Sequence, residues 1–363
     1  MPSLISSGIQ PIYIDTKGVS GLEEILSSCE RFTSLHILVD TDTACHCLPL
    51  IESVGPLKNA DMITVPCGEQ SKSLETVGSL VDHLRKAGAD RSSLLVNLGG
   101  GMVSDLGGFT ASVYMRGIRH VNIPTTLMAM VDAAIGGKTG VNHGGVKNLV
   151  GSFHPAQAIF ISPSFLGTLP YKELRSGFAE VVKHALVGAG PSLELLPVPD
   201  QLTSYDWSDV IQHSVRFKDK VVADDPHDHA GRRRLNFGHT IGHVLEALSF
   251  GDGVERLTHG EAIALGMMVE TLLSNRLKGL DSDATHRIIH LLQSHFPDLV
   301  LPSFSDEWIR LLNGDKKNDA GVFKFALLSK IGEADVNVAV SPRHISEAVS
   351  AILSSGGEFN GRA

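Results

Sequence analysis

Cysteine is scarce. The chain of 363 residues has four, Cys29, Cys45, Cys47 and Cys67, all near its start. No second pair joins Cys45-His46-Cys47 to complete a zinc site, so these read as small buried thiols of a reduced compartment. Basic charge is short as well: 31 Lys and Arg against 40 Asp and Glu leave a net charge of −9. That balance argues against a general nucleic-acid binder or a basic membrane-surface protein, and leaves room for a locally basic pocket. Also absent are an uncharged run of membrane-spanning length, a charged-then-apolar leader, an internal repeat and a low-complexity segment. The expectation is a soluble, cytoplasmic protein with neither nucleic-acid nor membrane partners. With 42% hydrophobic residues, the chain can bury a core without disulfides, and its length favours two domains.

The first half alternates short apolar runs with helical patterns. Ile12-Tyr13-Ile14, His36 to Val39, Met62 to Val65, Ser93 to Leu98, His120 to Pro124 and Ala158 to Ile161 read as strands. An amphipathic stretch runs from Ser73 to Ala87. Such alternation predicts βαβ units and a parallel sheet. After about Pro170 strand signals nearly vanish. Helical periodicity takes over at Lys172–Leu186, Val210–Ala223, Thr240–Leu248 and Glu261–Leu277, with a late hairpin pattern at 323–328 and 334–340. The expected architecture is a Rossmann-like α/β nucleotide-binding domain over 1–170 and a mainly α-helical metal- and substrate-binding domain over 171–363.

Three segments carry chemistry. The strand ending at Leu98 runs into Gly99-Gly100-Gly101, followed by Asp105, Gly107 and Gly108. Glycines between a strand and a helix let backbone N–H groups approach a pyrophosphate, although the spacing is not the standard dinucleotide fingerprint. A second segment, from Pro124 to Gly151, sets Thr125, Thr126, Asp132, Lys138, Asn142, Lys147 and Asn148 among glycines and apolar residues. Lysines and asparagines in such a run suit grips on carboxylate, phosphate and hydroxyls. Arg116 and Arg232 add two more anion contacts. The third is a set of polar residues in adjoining helices. His239 and His243 share a helix face at i, i+4, His259 opens the next helix, and Glu180 and Lys183 lie on one face at i, i+3. One carboxylate and two imidazoles suit catalytic zinc, or cobalt in its place. Spacing leaves open which two histidines bind.

Taken in order, Gly68-Glu69-Gln70-Ser71-Lys72, the Gly99–Phe109 turn, Tyr114-Met115-Arg116-Gly117, Pro124-Thr125-Thr126, Gly136 to Asn148, Ala179 to Lys183, Leu235 to His243, His259-Gly260-Glu261 and Asp315-Lys316-Lys317 resemble the 3-dehydroquinate synthases of the sugar phosphate cyclase superfamily. The resemblance covers roughly residues 65 to 335. It implies a shikimate-pathway lyase that converts 3-deoxy-D-arabino-heptulosonate 7-phosphate to 3-dehydroquinate and phosphate. The implied steps are NAD-mediated transient oxidation, phosphate elimination, re-reduction and intramolecular aldol closure. It further implies metal ligands Glu180, His239 and His259, with Zn2+ or Co2+, and a nearby catalytic or orienting His243. Glu69, Lys72, Gly100, Gly101, Met102, Asp105, Thr125, Thr126, Lys138, Lys147 and Thr168 are implied on the NAD side. Asp132, Lys138, Lys147, Asn148, Lys183, Lys218, Arg232 and Asn236 are implied in the substrate pocket, with Lys316 or Lys317. Arg116 matches an arginine that reaches the neighbouring subunit's site, which implies a homodimer. Two departures stand out: Ser104 replaces a more usual glycine, and His143 to Lys147 carries Gly-Val where Pro-Gly is commoner. The alternatives are another cyclase of the 2-deoxy-scyllo-inosose synthase type and a metal-dependent polyol dehydrogenase. The run Gly136 to His143 favours the dehydroquinate branch over the first, and Glu180, where that family more often has Asp, weighs against the second.

Overall fold

The computed structural model describes residues 2–6, 8–29, 31–249, 256–313 and 322–354. They form two compact units, Met1–Pro170 with Asp206–His227, and Tyr171–Tyr205 with Asp228–Ala363. The sequence reading had 171–363 as one continuous domain. The structure differs at 206–227, which folds with the first unit.

The first unit is built on seven strands: β1 (Ser3–Ile5), β2 (Ile12–Ile14), β3 (Leu35–Asp40), β4 (Asp61–Val65), β5 (Leu94–Gly99), β6 (Arg119–Pro124) and, after a hairpin, β9 (Ala158–Ile161). The order across the sheet is β1-β2-β9-β6-β5-β3-β4, parallel throughout except for the β1–β2 pair. Strand β5 is buried at every position, as expected of a central parallel strand covered on both faces. Helices α1 (Leu22–Ser28), α2 (Thr41–His46), α3 (Leu74–Lys86) and α4 (Gly101–Val113) connect the early strands. Val77, Leu80 and Leu84 of α3 share one core cluster with Val103, Leu106 and Phe109 of α4. From β3 the chain steps outward to β4 and then back across to β5, so the strand order reverses between β3 and β5. Open α/β sheets bind ligands outside the carboxyl ends of the strands at such a switch, and the glycine run stands at the carboxyl end of β5.

The polar run Pro124 to Gly151 is not a loop. It holds a π-helical turn at Ala129–Ala133 and a hairpin of β7 (Lys138–His143) and β8 (Val146–Phe153). Helix α6 (Ser208–Asp224) belongs to this unit, and its Lys218 Nζ reaches Asp132 Oδ1 on that π turn at 2.6 Å.

The second unit contains α5 (Tyr171–Val187), α7 (His239–Leu248), α8 (His259–Lys278), α9 (Ser282–His295), α10 (Asp306–Asn313) and α11 (Pro342–Ser354), with a hairpin of β10 (Phe323–Lys330) and β11 (Glu333–Val340). Helix α8 is buried from Gly260 to Ser274; a helix enclosed on all sides reads as apolar all round. Its glycines set how closely its neighbours pack. A Cβ on Gly260 would stand 2.0 Å from Ser176 O of α5, and one on Gly266 2.0 Å from Gly238 O at the start of α7. Backbone-to-backbone crossings of this kind bring residues of α5 and α7 to the head of α8.

Candidate functional site

In the first unit the glycine run stands where a strand gives way to a helix. Gly99 ends β5, Gly100 is the N-cap of α4 and Gly101 opens the helix, with no side-chain cap. A Cβ on Gly99 would lie 2.5 Å from Val103, and one on Gly100 3.0 Å from Thr126 Cγ2. Both positions are therefore closely packed against their neighbours. Thr125 N donates to Gly99 O at 3.0 Å, which ties it to the turn, while Thr126 Oγ1 accepts from Ala129 N at 3.2 Å at the start of the next helical segment. Met102 is half-buried on the first turn of α4. Thr168 closes a 3-10 turn, where its hydroxyl and that of Thr125 both reach the buried thiol of Cys47; burial pushes that thiol up to about 11.

Beside the turn lies a polar network. Lys72, only 4% exposed, places Nζ 2.5 Å from Asp105 Oδ2 and 2.6 Å from Asn148 Oδ1. Burial raises the Asp105 carboxyl, with the Lys72 ammonium pulling it back down. Asn142 links the rest: its Nδ2 donates to Glu69 Oε1 and its Oδ1 accepts from Asn148 N, both at 2.9 Å. Asn148 sits at φ 51° to make this contact. Glu69, Lys72, Asp105 and Asn148 thus come together. Asn142, one of the two asparagines of the polar run, is the residue that connects them. Lys138 and Lys147 are exposed on the hairpin, and Lys218 pairs with Asp132.

Arg116 stands apart from this network. At φ 68° it lines an open depression with Arg31, Arg91, Arg119 and His154. Arg119 opens β6, so the depression is at the amino-terminal edge of the sheet, whereas the glycine turn is at the carboxyl edge.

In the second unit Glu180 lies on α5, His239 at the first position of α7 and His259 at the first position of α8. His239 Nε2 is 3.5 Å and His259 Nε2 3.8 Å from Glu180 Oε1. Glu180 is fully buried, and its Oε1 has no hydrogen-bond partner among the described residues. Lys183 forms an ion pair with its Oε2. Ligand atoms about 2.0–2.1 Å from a tetrahedral zinc stand roughly 3.3–3.4 Å from one another. The trio fits a metal ion: His239 and His259 each place Nε2 near that spacing from Glu180 Oε1, the carboxylate oxygen that Lys183 does not pair, and a buried polar atom left without a partner is costly. His243 is exposed one turn along α7, its ring 5.5 Å from that of His239. Arg232 and Asn236 lie in the 3-10 segment Gly231–Asn236 that leads to α7. Lys316 and Lys317 lie outside the described residues.

The sequence reading missed the supporting carboxylates. Glu246 Oε2 is 3.6 Å from His259 Nδ1, where ligating histidines commonly meet a second partner. Glu261 closes a capping box with Thr258 at the head of α8, and Arg175 of α5 donates to it at 2.5 Å. That box was legible as Thr-x-x-Glu. Glu270 was not flagged, although an acidic residue amid the apolar run of α8 is itself a signal. No described helix is long and apolar enough to cross a membrane.

Two family models match the chain, one described as 3-dehydroquinate synthase N-terminal over residues 62–176 and one as 3-dehydroquinate synthase C-terminal over residues 177–318. The chain is 39% identical to a 3-dehydroquinate synthase of Parabacteroides distasonis over 334 residues, 91% of this chain and 94% of that protein. Among solved structures, a 2-deoxy-scyllo-inosose synthase complexed with carbaglucose-6-phosphate, NAD+ and Co2+ aligns with a TM-score of 0.83 at 25% identity, covering 96% of this chain and 99% of that one. A 2-epi-5-epi-valiolone synthase of Streptomyces hygroscopicus subsp. jinggangensis, with NAD+ and Zn2+ bound, gives 0.81 at 25% identity, with 98% and 99% covered.

Proposed function

The chain belongs to the 3-dehydroquinate synthase family, and on that footing we propose that it converts 3-deoxy-D-arabino-heptulosonate 7-phosphate into 3-dehydroquinate and phosphate. Its fold is the family's, an α/β unit with a parallel sheet and a mainly helical unit. The observation that carries the reading is the convergence of Glu180, His239 and His259, three residue types suited to catalytic metal, on helices within the matched C-terminal region. When bound, NAD supplies reversible hydride acceptance and Zn2+ or Co2+ polarises the hydroxyl to be oxidised.

The chain's own residues bind and orient. Backbone N–H groups at Gly100, Gly101 and Met102 face the pyrophosphate, with Thr125, Thr126 and Thr168 toward the nicotinamide side and Glu69 toward the adenosine. Lys72 holds Asp105 and Asn148 in place and so fixes the polar rim of that turn. Lys138, Lys147, Lys183, Lys218, Arg232, Asn148 and Asn236 grip the carboxylate, phosphate and hydroxyls of the substrate, which is positioning and electrostatic work. Asp132 orients Lys218. His243 holds or passes a proton at a ring nitrogen, as a neutral imidazole can near neutral pH. Arg116, at the opposite edge of the sheet, serves the site of a second copy, so the working form is a homodimer. The protein works in the cytoplasm, with nucleotide binding assigned to the first unit and metal binding to the second.

Another cyclase substrate is the second reading, favoured by the structural likeness to 2-deoxy-scyllo-inosose synthase. Identity of 39% to a dehydroquinate synthase against 25% to that enzyme places it second. The test is a discontinuous assay with the heptulosonate phosphate, NAD and zinc. Stoichiometric phosphate and 3-dehydroquinate, no net NADH and loss on chelation are expected. A folded, metal-loaded protein that releases no phosphate would overturn the proposal.

A further inference from the structure

Helix α7 carries His239 and His243 but has no cap of its own. The residue before it, Gly238, is left-handed (φ 81°) and offers no side chain to the first-turn N–H groups. Those donors need a partner when buried, and α8 supplies it. Gly238 N–H donates to Glu270 Oε2 at 2.6 Å and Ile241 N–H to Oε1 at 3.2 Å. Thr240 N–H reaches the same carboxylate. Glu270 is fully buried; burial pushes its carboxyl up to about 8, while the bonds from the N–H groups of Gly238, Ile241 and Thr240 pull it back toward the charged form.

Two features of α7 leave this carboxylate a specific task. The close approach of Gly238 to Gly266 sets the distance between α7 and α8, but a contact between glycines does little to fix rotation of α7 about its own axis. Two oxygens on donors at 238 and 241 do fix it, and His239 lies between those donors. The ring of His239 also meets Phe237 O through Nδ1, at 3.3 Å.

We propose that Glu270 is a positioning residue for the metal trio, pinning the amino end of α7 on α8 so that His239 Nε2 faces Glu180. The inference rests on reading Glu180, His239 and His259 as metal ligands. A merely structural Glu270 would alter stability alone, whereas a positioning one also alters how the metal is held.

The experiment is titration of the metal-depleted full chain with Co2+, following the dissociation constant and the visible absorption of the bound ion. Glu270→Gln keeps size and shape but turns one oxygen into a donor facing a donor. It is expected to weaken Co2+ binding by about 10–100-fold, the range for partners of metal ligands, and to change the absorption bands. Glu270→Asp keeps the charge one methylene short and carries the test if the Gln variant does not fold; weaker binding is expected there too. Wild-type affinity and spectrum in a folded variant, whatever its stability, would overturn the proposal. Should the wild-type chain itself fail to bind Co2+, or His239→Ala bind it as tightly, the ligand reading falls first and this inference with it.

Discussion

His120 lies in β6 at 1% exposure, stacked on His154 with ring centroids 5.2 Å apart, and its Nδ1 has no hydrogen-bond partner among the described residues. Burial, followed by the neighbouring His154, pushes its pKa down from 6.5 to about 3. The folded state therefore keeps the ring neutral while the unfolded chain protonates it below its ordinary value. Stability from this group is fully present above about 6.5 and is lost as pH falls toward about 3, at roughly 1.4 kcal/mol per pH unit. His120→Phe removes the titration and keeps a ring. Urea midpoints at pH 7 and pH 5 are expected to show the wild type losing about 2 kcal/mol more than the variant over that interval. Parallel losses would show that His120 is not buried neutral. At the same scale, His239→Ala is expected to lose tightly bound metal and activity together, by metal analysis after dialysis and by phosphate release. Retention of full metal content would remove His239 from the ligand set.

Glycine placement decides what the helices can do, and Gly266 and Gly78 make the contrast. Gly266 on α8 has backbone 2.0 Å from where a Cβ would go, while Gly78 on α3 has nothing within 4 Å. Gly266→Ala must therefore push α7 from α8. The expected loss is about 1–3 kcal/mol or more, with weakened Co2+ binding because His239 moves with α7. Gly78→Ala is expected to stabilise by about 0.4–1 kcal/mol, since it restricts only the unfolded chain. Thermal and urea unfolding of the pair checks both signs. The same elements show what was legible beforehand. Strands β3, β5 and β6 and helices α5, α7 and α8 announced themselves through apolar runs and 3.6-residue periodicity, and the histidines through residue type. The β7–β8 hairpin did not: Gly136 to Asn148 has no period-2 alternation, and its pairing depends on partners such as Lys72 and Asn142 that sequence spacing does not connect. Glu270 stands out as an acidic residue in the apolar run of α8, but its partners do not, because they are backbone N–H groups 29 and 32 residues away.

For the whole molecule, the two units carry different chemistry, and a ligand that binds only the native form of one should reveal it. The trio lies in α5, α7 and α8, all of the second unit, whereas the glycine turn lies in the first. Binding at one hundred times the dissociation constant stabilises the native form by about 2.7 kcal/mol. In hydrogen exchange on the full chain, Co2+ at that excess is expected to slow amides of 176–184, 239–248 and 259–266, where opening of the second unit limits exchange. NAD alone is expected to slow 94–105. Resolving the two footprints requires that each unit open by its own route below the global unfolding limit. A Co2+ footprint at 94–105 that equals the one at 239–248 would show instead that the chain unfolds as one cooperative body. Metal removal would then destabilise the nucleotide-binding turn as much as the trio itself.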